Sequence, residues 1–254
     1  MAMRRTVVVP DLQVPLHDEV AVNNVIAFIK AYRPDSVLTL GDEADFTEIG
    51  RWSEGKPGWY EQTLAENRDM TVDILWRLGE YAKEQHMIRS NHTDRLFNVI
   101  MNKIPAFMSL PELKFEKFMK LDELGITYHK KPYTVAKGLI AVHGDEGSVK
   151  PTPALTALES ARRAGISTIC GHTHRAGFSQ FSESSGGKIN RIIRGYEGGH
   201  LMDVRQATYT RGQMNWQQAF IIVEEDAKGN QVSIINLEKD GTFVVHGRRY
   251  GRSR

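Results

Sequence analysis

The first two thirds of the chain alternate between short apolar runs and longer stretches in which apolar residues recur every three to four positions. This alternation predicts strands that alternate with helices, as in an α/β fold. A β-branched run predicts a strand at residues 6–9, and further short runs predict strands at residues 36–40, 86–89, 139–142 and 166–170. Amphipathic stretches predict helices at residues 19–32, 61–84, 94–103, 112–124 and 152–164.

Two of the predicted helices carry clear end signals. Asp18 stands where an N-cap residue is needed, and Val22, Ile26 and Ile29 then share one face of the first helix. Gly165 follows the last of these helices and suits its C-terminal cap. We therefore expect the ends of these two helices to be set by local sequence.

Beyond residue 171 the helical spacing gives way to strand-like runs at residues 178–181, 188–194, 218–223, 232–237 and 242–245. Glycine-containing turns at residues 186–187, 229–230 and 240–241 separate several of them, and such turns favour β-hairpins. We predict antiparallel strands over residues 175–246. Because no repeat or linker interrupts the sequence, residues 1–254 are predicted to form one domain with two sheets.

Composition adds a few constraints. Of the 254 residues, 41% are hydrophobic and 25% are charged, and the formal net charge of +2 gives no overall argument for binding nucleic acid or a membrane. Cys170 is the single cysteine, so an internal disulfide is excluded and a reducing compartment is favoured. No apolar run approaches the roughly 18 residues of a membrane helix. We expect a soluble, cytoplasmic protein that does not bind membranes.

The C-terminal residues 247–254 contain four arginines and form the one basic stretch of the chain. A frayed, solvated terminus is the favoured interpretation, because chain ends are often poorly ordered. Contact with the phosphate backbone of a nucleic acid is the alternative. The oligomeric state is left open by the sequence.

Polar residues with metal-ligand chemistry follow five of the predicted strands. They are Asp11 and Gln13, Asp42 and Asp45, Asn91 and His92, His143, and His172 and His174. Ligands of open α/β sheets bind beyond the carboxyl ends of the strands, so these side chains are expected to converge. Packing alone does not explain ligand chemistry at every strand exit, and imidazole is the commonest metal ligand.

The order of these motifs resembles that of the calcineurin-like metallophosphoesterase family. The shared order is Asp-x-(His/Gln), Gly-Asp-x-x-Asp, (Gly/Ser)-Asn-His, His and Gly-His-x-His, and it covers residues 6–174. The resemblance implies a four-layer αββα sandwich of two mixed β-sheets flanked by helices. With glutamine in the first motif, the chain is similar to the small single-domain phosphodiesterases of phage and bacterial type.

The resemblance also implies two divalent metal ions bridged by Asp42. It assigns Asp11, Gln13 and His174 to the first ion, and Asn91, His143 and His172 to the second. Two ions about 3.5–4 Å apart can hold both the attacking and the leaving oxygens of a phosphoryl displacement. Two carboxylates leave such a pair positively charged, so that it binds phosphate and turns a bridging water into a hydroxide nucleophile near neutral pH.

Gln13 departs from the many family members that have histidine at this position. Its amide oxygen is a harder ligand than an imidazole nitrogen, which favours Mn²⁺ or Mg²⁺ over tightly held Fe or Zn. We expect exchangeable Mn²⁺, with Mg²⁺, Fe, Zn and Ni as alternatives. In a second interpretation Gln13 turns away and a water molecule takes its place.

The family pattern makes His92 the general acid that protonates the leaving oxygen, a role that suits imidazole because its pKa lies near working pH. A solvated histidine at a helix entry is the alternative. Family members often carry an acidic residue directly after this histidine, but here Thr93 occupies that position. The carboxylate that orients His92 is therefore either Asp45 or Asp94.

Several further residues are candidate substrate contacts. His17 could reach the substrate or cap the next helix, Arg95 could bind a phosphate oxygen or form a surface ion pair, and His200 lies in a glycine-rich stretch. Asp145 and Glu146 could shape the pocket, although solvent exposure is the favoured interpretation. Residues 52–60, with Trp52, Trp59 and Tyr60, could stack a nucleobase or pack on the adjacent helix.

The leading functional hypothesis is a metal-dependent phosphodiesterase that acts on nucleotide-type substrates, such as cyclic nucleotides, with metal-bound hydroxide and His92. One alternative is a nuclease similar to the double-strand-break repair members of the family, whose substrate would be a nucleic acid. Others are a phosphomonoesterase or protein Ser/Thr phosphatase, and a metal-binding scaffold without catalysis. The retained His92 and the complete second ligand set argue against the scaffold.

Overall fold

Two β-sheets carry the fold, and each one mixes parallel and antiparallel pairs. A computed structural model of the chain describes residues 3–49, 63–207 and 214–253. The first sheet has the order β11-β10-β1-β2-β3-β4, in which β1 to β4 run parallel and β10 and β11 are antiparallel. Its strands are β1 (Arg4–Val9), β2 (Ser36–Thr39), β3 (Glu84–Ile88), β4 (Ile126–His129), β10 (Ala219–Glu225) and β11 (Asn230–Asn236).

The second sheet has the order β5-β6-β7-β9-β8. Its three central strands run parallel, and an antiparallel strand lies at each edge. The strands are β5 (Tyr133–Ala136), β6 (Leu139–Val142), β7 (Ser167–Cys170), β8 (Ala176–Ser185) and β9 (Lys188–Gly198). A two-stranded ribbon of β12 (Phe243–Val245) and β13 (Arg248–Tyr250) completes the strands of the described chain.

Helices cover the outer faces of both sheets. They are α1 (Glu19–Tyr32), α2 (Leu64–Gly79), α3 (Thr93–Lys103), α4 (Phe115–Phe118) and α5 (Leu155–Ala164). Apolar side chains of α1 and α2 pack on the first sheet, and α5 packs on the second through Ala157 against Val142 and Cys170. A third apolar cluster, from strands of both sheets, lies between them. The four-layer arrangement of two mixed sheets flanked by helices is thus confirmed.

The two helices with local end signals form as predicted. The Asp18 side chain accepts a hydrogen bond from the Ala21 backbone N–H at 3.2 Å, and the helix over Glu19–Tyr32 has the predicted bounds. Val22, Ile26 and Ile29 are all buried. Gly165 ends α5 in the left-handed conformation, with φ of 69°, which a residue without Cβ adopts at little cost.

The prediction of one helix over residues 112–124 is wrong. This stretch contains a single 3₁₀ turn at Pro111–Leu113 and the one-turn α4. Met119 and Leu121 are both fully buried, and Lys120 between them has a left-handed backbone with φ of 54°. Tertiary packing therefore turns the chain toward β4, a strand that the sequence pattern missed together with β5.

The predicted helix over residues 61–84 is too long. Helix α2 ends at Gly79, and residue 84 already belongs to β3, where it pairs with Ser36 of β2. The Gln85 side chain donates to the Leu75 carbonyl at 2.9 Å, which fixes this turn against the end of the helix. Strand pairing thus starts β3 two residues before the predicted run.

The late strands pair antiparallel with one another as predicted, β8 with β9, β10 with β11 and β12 with β13. The first two pairs also join the two large sheets, where β9 runs parallel to β7 and β10 antiparallel to β1. The frayed-terminus interpretation of the basic tail is wrong for Arg248–Tyr250, which pairs with β12, and for Arg252, whose backbone N–H donates to Asn24. None of the helices in the described ranges is long and apolar enough to span a bilayer.

Candidate metal centre

The loops that follow β1, β2, β3, β6 and β7 meet at one edge of the sandwich, as predicted from the strand exits. Four of the side chains gathered there stand on left-handed backbone: φ is 54° at Gln13, 55° at Asp42, 63° at His172 and 56° at His174. Such a conformation costs a non-glycine residue about 1–3 kcal/mol and persists only where the surroundings enforce it. The fold therefore holds these side chains in set directions.

One group of possible ligands lies around Asp11. A carboxylate oxygen of Asp11, one of Asp42 and a ring nitrogen of His174 all lie within 4.8 Å of one another. The Gln13 amide completes the group, because its Nε2 lies 3.1 Å from Asp42 Oδ2 and 3.4 Å from His174 Nε2. These four side chains are all buried.

A second group shares Asp42 with the first. Ligand atoms of Asp42, His143 and His172 lie within 4.8 Å of one another. Asn91 joins them, since its Oδ1 lies 2.8 Å from His143 Nε2. All seven predicted metal ligands are thus brought together, with the Asp42 carboxylate common to both groups.

The hydrogen bonds of this centre suit a cation better than an empty cluster. His143 Nδ1 donates to the Leu40 carbonyl at 2.7 Å, so Nε2 faces Asp42 Oδ2 at 3.3 Å and the Asn91 oxygen. A neutral imidazole would direct its lone pair at these two oxygens. Within residues 3–49, 63–207 and 214–253, Gln13 Oε1 is buried without a hydrogen-bond partner. A cation could accept both this oxygen and the Nε2 lone pair of His143 as ligands.

The pKa values of the buried groups also favour a cation in this centre. Burial alone would raise the pKa of Asp42, but His143 and His92 hold it well below its usual range. Burial would lower the pKa of His143, yet the Asp42 carboxylate outweighs it and raises that pKa to about 10. A positive charge is therefore favoured between these side chains, and a divalent ion with oxygen and imidazole ligands supplies one. The donor set fits the implied metal pair.

Backbone contacts hold the two aspartates. Both carboxylate oxygens of Asp11 accept from the His172 backbone N–H at 3.0 Å, and the Asp42 backbone N–H donates to Ser90 Oγ at 3.0 Å. Gly171 leaves room for this arrangement, because a Cβ there would lie 2.4 Å from Asp11 Oδ2. The glycine of the Gly-His-x-His motif thus permits the close approach of β7 to the first aspartate.

His92 lies at the edge of the centre beside Asp42. Its backbone N–H donates to Asp42 Oδ1 at 3.3 Å, and its Nε2 is 3.7 Å from Asp42 Oδ2. Arg95 Nη2 approaches Nε2 to 2.6 Å, so this nitrogen accepts a hydrogen bond. Burial, and then Arg95, lower the pKa of His92, while Asp42 and Asp45 oppose the shift. In this arrangement Nε2 is thus held as a hydrogen-bond acceptor by Arg95.

Only one of the two carboxylates proposed to orient His92 lies next to it. Asp45 Oδ1 is 3.4 Å from His92 Nδ1. Asp94 instead accepts from Arg89 at 2.9 and 2.6 Å, and Arg89 also donates to both oxygens of Asp145 at 2.7 Å. The structure thus places Asp94 with Arg89, and it gives Asp145 an ion-pair partner where solvent exposure was expected.

The three candidate substrate contacts differ in position. Arg95 lies in the site against His92. His17 is half-buried, its backbone forms a bridge with Met202, and it belongs to neither ligand group. His200 is fully buried behind His174, with ring centroids 5.5 Å apart, and burial lowers its pKa to about 3. Its position does not suit contact with a substrate.

Some residues of the site carry no motif that could have revealed them. Trp216 packs edge-on against His174, with centroids 4.5 Å apart, although it lies far along the chain from every ligand motif. Arg89 and Ser90 directly precede Asn91, so their position in the third strand exit was the available signal. Trp52, Trp59 and Tyr60 lie outside the residues that the structure describes.

Comparison with known proteins finds close relatives in phages. The "Gene 54 protein" of Mycobacterium phage D29 is 32% identical over 250 residues, which cover 96% of this chain and 97% of that protein. The protein of the same name from Mycobacterium phage L5 is 28% identical over 253 residues, which cover 96% of this chain and 98% of that protein. Among solved structures, Vps29 of Chaetomium thermophilum aligns with a TM-score of 0.49 at 12% identity, covering 98% of this chain and 97% of that one. No protein-family model matches the chain.

Proposed function

The chain belongs to the family of the Mycobacterium phage Gene 54 proteins, and from its shared carboxylate we propose that it is a dinuclear-metal-dependent phosphoesterase. The observation that carries the proposal is that Asp42 belongs to two separate groups of possible metal ligands. A bridging carboxylate of this kind is what a two-metal phosphoryl-transfer site requires. We further propose that residues 1–254 act as one domain, which the apolar cluster between the sheets supports.

The residues present define two ligand sets. Asp11, Gln13 and His174 would hold one ion, Asn91, His143 and His172 the other, and Asp42 would contact both. When bound, two divalent ions would supply the positive charge that attracts a phosphate and acidifies water at the site. Two carboxylates against two divalent ions leave a net positive charge, which suits an anionic substrate.

His92 is the proposed general acid, and its neighbours fit that role once a substrate is present. Asp45 faces Nδ1 and would orient the ring, so that Nε2 points toward the centre. In the structure Arg95 donates a hydrogen bond to Nε2, the nitrogen that would have to carry the proton for the leaving oxygen. A phosphate oxygen would compete for the Arg95 guanidinium, because charge-assisted bonds to phosphate are stronger than one to a neutral imidazole. Release of Nε2 would let it pick up a proton for the leaving oxygen.

A phosphodiester of nucleotide type is the proposed substrate. Support comes from the resemblance of the ordered motifs, Asp11 to His174, to those of small phosphodiesterases. Phosphomonoesters and nucleic acids remain the alternatives that the assay below separates.

Metal removal is expected to abolish the activity reversibly. Since Gln13 contributes a neutral oxygen, chelation should strip the protein, and Mn²⁺ should restore hydrolysis better than Zn²⁺. The measurement is turnover of bis-p-nitrophenyl phosphate and p-nitrophenyl phosphate, with and without each metal. The Gln13→His variant provides the matched comparison, and its preference should move toward Zn²⁺.

Three results would count against this account. Full turnover after chelation would exclude a metal mechanism. A preference for p-nitrophenyl phosphate would replace the diesterase by a phosphomonoesterase. Faster hydrolysis of linear DNA than of small phosphodiesters would favour a nuclease.

A further inference from the structure

Glu197 is a fully buried carboxylate near the end of β9, outside every ligand motif. Its Oε1 accepts from the backbone N–H groups of Thr156 at 3.1 Å and Ala157 at 3.4 Å, in the first turn of α5. Ala154, which precedes the helix, has no side chain that could cap it. A strand residue thus supplies the N-terminal cap, where a negative charge is favoured.

The second oxygen of the same carboxylate points to the metal centre. Glu197 Oε2 accepts from the Thr173 hydroxyl at 3.0 Å, and that hydroxyl in turn accepts from the Arg175 backbone N–H at 3.2 Å. Thr173 lies between His172 and His174, and all of its bonds are buried or half-buried. One side chain therefore joins helix α5 to the loop that carries two of the seven candidate ligands.

This loop needs support. His172 and His174 both have positive φ, at 63° and 56°, which L-residues hold only under constraint. Their ring nitrogens Nδ1 are buried without hydrogen-bond partners among the described residues, so side-chain bonds do not fix the rings from that side. The bond from Thr173 to Glu197 acts on the backbone between them instead.

We propose that Glu197 is a positioning residue that fixes His172 and His174 for metal binding through the Thr173 hydroxyl. The proposal rests on the metal centre of the proposed function. This positioning role differs from that of a simple helix cap. A cap would need only Oε1, and loss of the Thr173 hydroxyl would then leave metal binding unchanged. Residues that orient metal ligands from behind typically change metal affinity by 10- to 100-fold when removed.

The test is the Mn²⁺ affinity of Thr173→Val, measured by isothermal titration calorimetry on the metal-stripped full-length protein. Valine keeps the shape of the side chain and removes the hydroxyl, so Mn²⁺ binding should weaken about 10- to 100-fold. Thr173→Ser should restore it. Thr168→Val is the matched control, because it makes the same change on β7, where the hydroxyl donates to the Ile166 carbonyl at 3.1 Å.

Glu197→Gln gives an independent comparison if Thr173→Val does not fold. Its amide cannot accept from both the helix and the hydroxyl, so Mn²⁺ affinity should again fall at least tenfold. Glu183→Gln is its control, since Glu183 lies half-exposed on β8, where it pairs with Arg191.

Two outcomes overturn the positioning role while leaving the metal centre in place. One is wild-type Mn²⁺ affinity in Thr173→Val or Glu197→Gln, and the other is failure of Thr173→Ser to restore it. A wild-type protein that binds no Mn²⁺ would instead overturn the proposed function itself, and the positioning role with it.

Discussion

Asp42→Asn is expected to lower kcat/KM for a phosphodiester by at least ~10³-fold, the largest loss from any single substitution in the chain. Asparagine offers one neutral oxygen where the carboxylate offers two charged ones, so it cannot serve both ligand groups. Two-metal stabilisation of a transition state amounts to several kcal/mol, and each 1.36 kcal/mol is about tenfold in rate. Weaker binding of Mn²⁺ should accompany the loss.

The measurement is steady-state hydrolysis of bis-p-nitrophenyl phosphate at saturating Mn²⁺, beside a Mn²⁺ titration. Asp73→Asn is the matched control: Asp73 lies on α2 with its side chain 61% exposed, 3.7 Å from Arg77. It should behave like the wild type. If Asp42→Asn kept activity within tenfold of the wild type, Asp42 would not bridge two ions.

His92→Ala is expected to lower kcat by about 10²- to 10⁴-fold on a substrate with an alkoxide leaving group, because such groups need a proton as they depart. The loss should be smaller on bis-p-nitrophenyl phosphate, since p-nitrophenolate is stable without one. Mn²⁺ affinity should stay near that of the wild type, as His92 is not among the proposed ligands. Comparing a dinucleotide with the nitrophenyl ester measures this difference.

His246→Ala serves as the control for that comparison, since His246 is a 62% exposed side chain in the turn before β13. An equal loss on both substrates would show that His92 does not act as the acid. A loss of Mn²⁺ binding in His92→Ala would instead make it a ligand or a support of Asp42.

The ligand set could be predicted because each motif follows a strand directly. Short apolar runs place residues such as Asp42 and His143 at strand exits, and the parallel order of the strands then brings those exits to one edge. The ends of α1 were predictable for the same reason, since Asp18 caps the helix from the adjacent position. Local chemistry decides these features, and local chemistry is what a sequence shows.

Long-range contacts decide the rest. Asp94 is close to His92 along the sequence, and Asp45 belongs to another motif of the same site, so the sequence does not choose between them. The ion pair with Arg89 shows that Asp94 is held elsewhere. Glu197 lies 24 residues from Thr173, without a motif to link them. Strands β4 and β5 contain polar residues, Thr127 and His129 in the first and Thr134 in the second, so neither shows the apolar run that marks β6. They form because neighbouring strands offer them an edge.

The central claim is that Asp42 contacts two cations at once. Anomalous diffraction from crystals soaked in Mn²⁺ tests it most directly. Two peaks are expected about 3.5–4 Å apart, one on each side of the Asp42 carboxylate. A single peak, or two peaks of which one lies out of reach of Asp42, would contradict it.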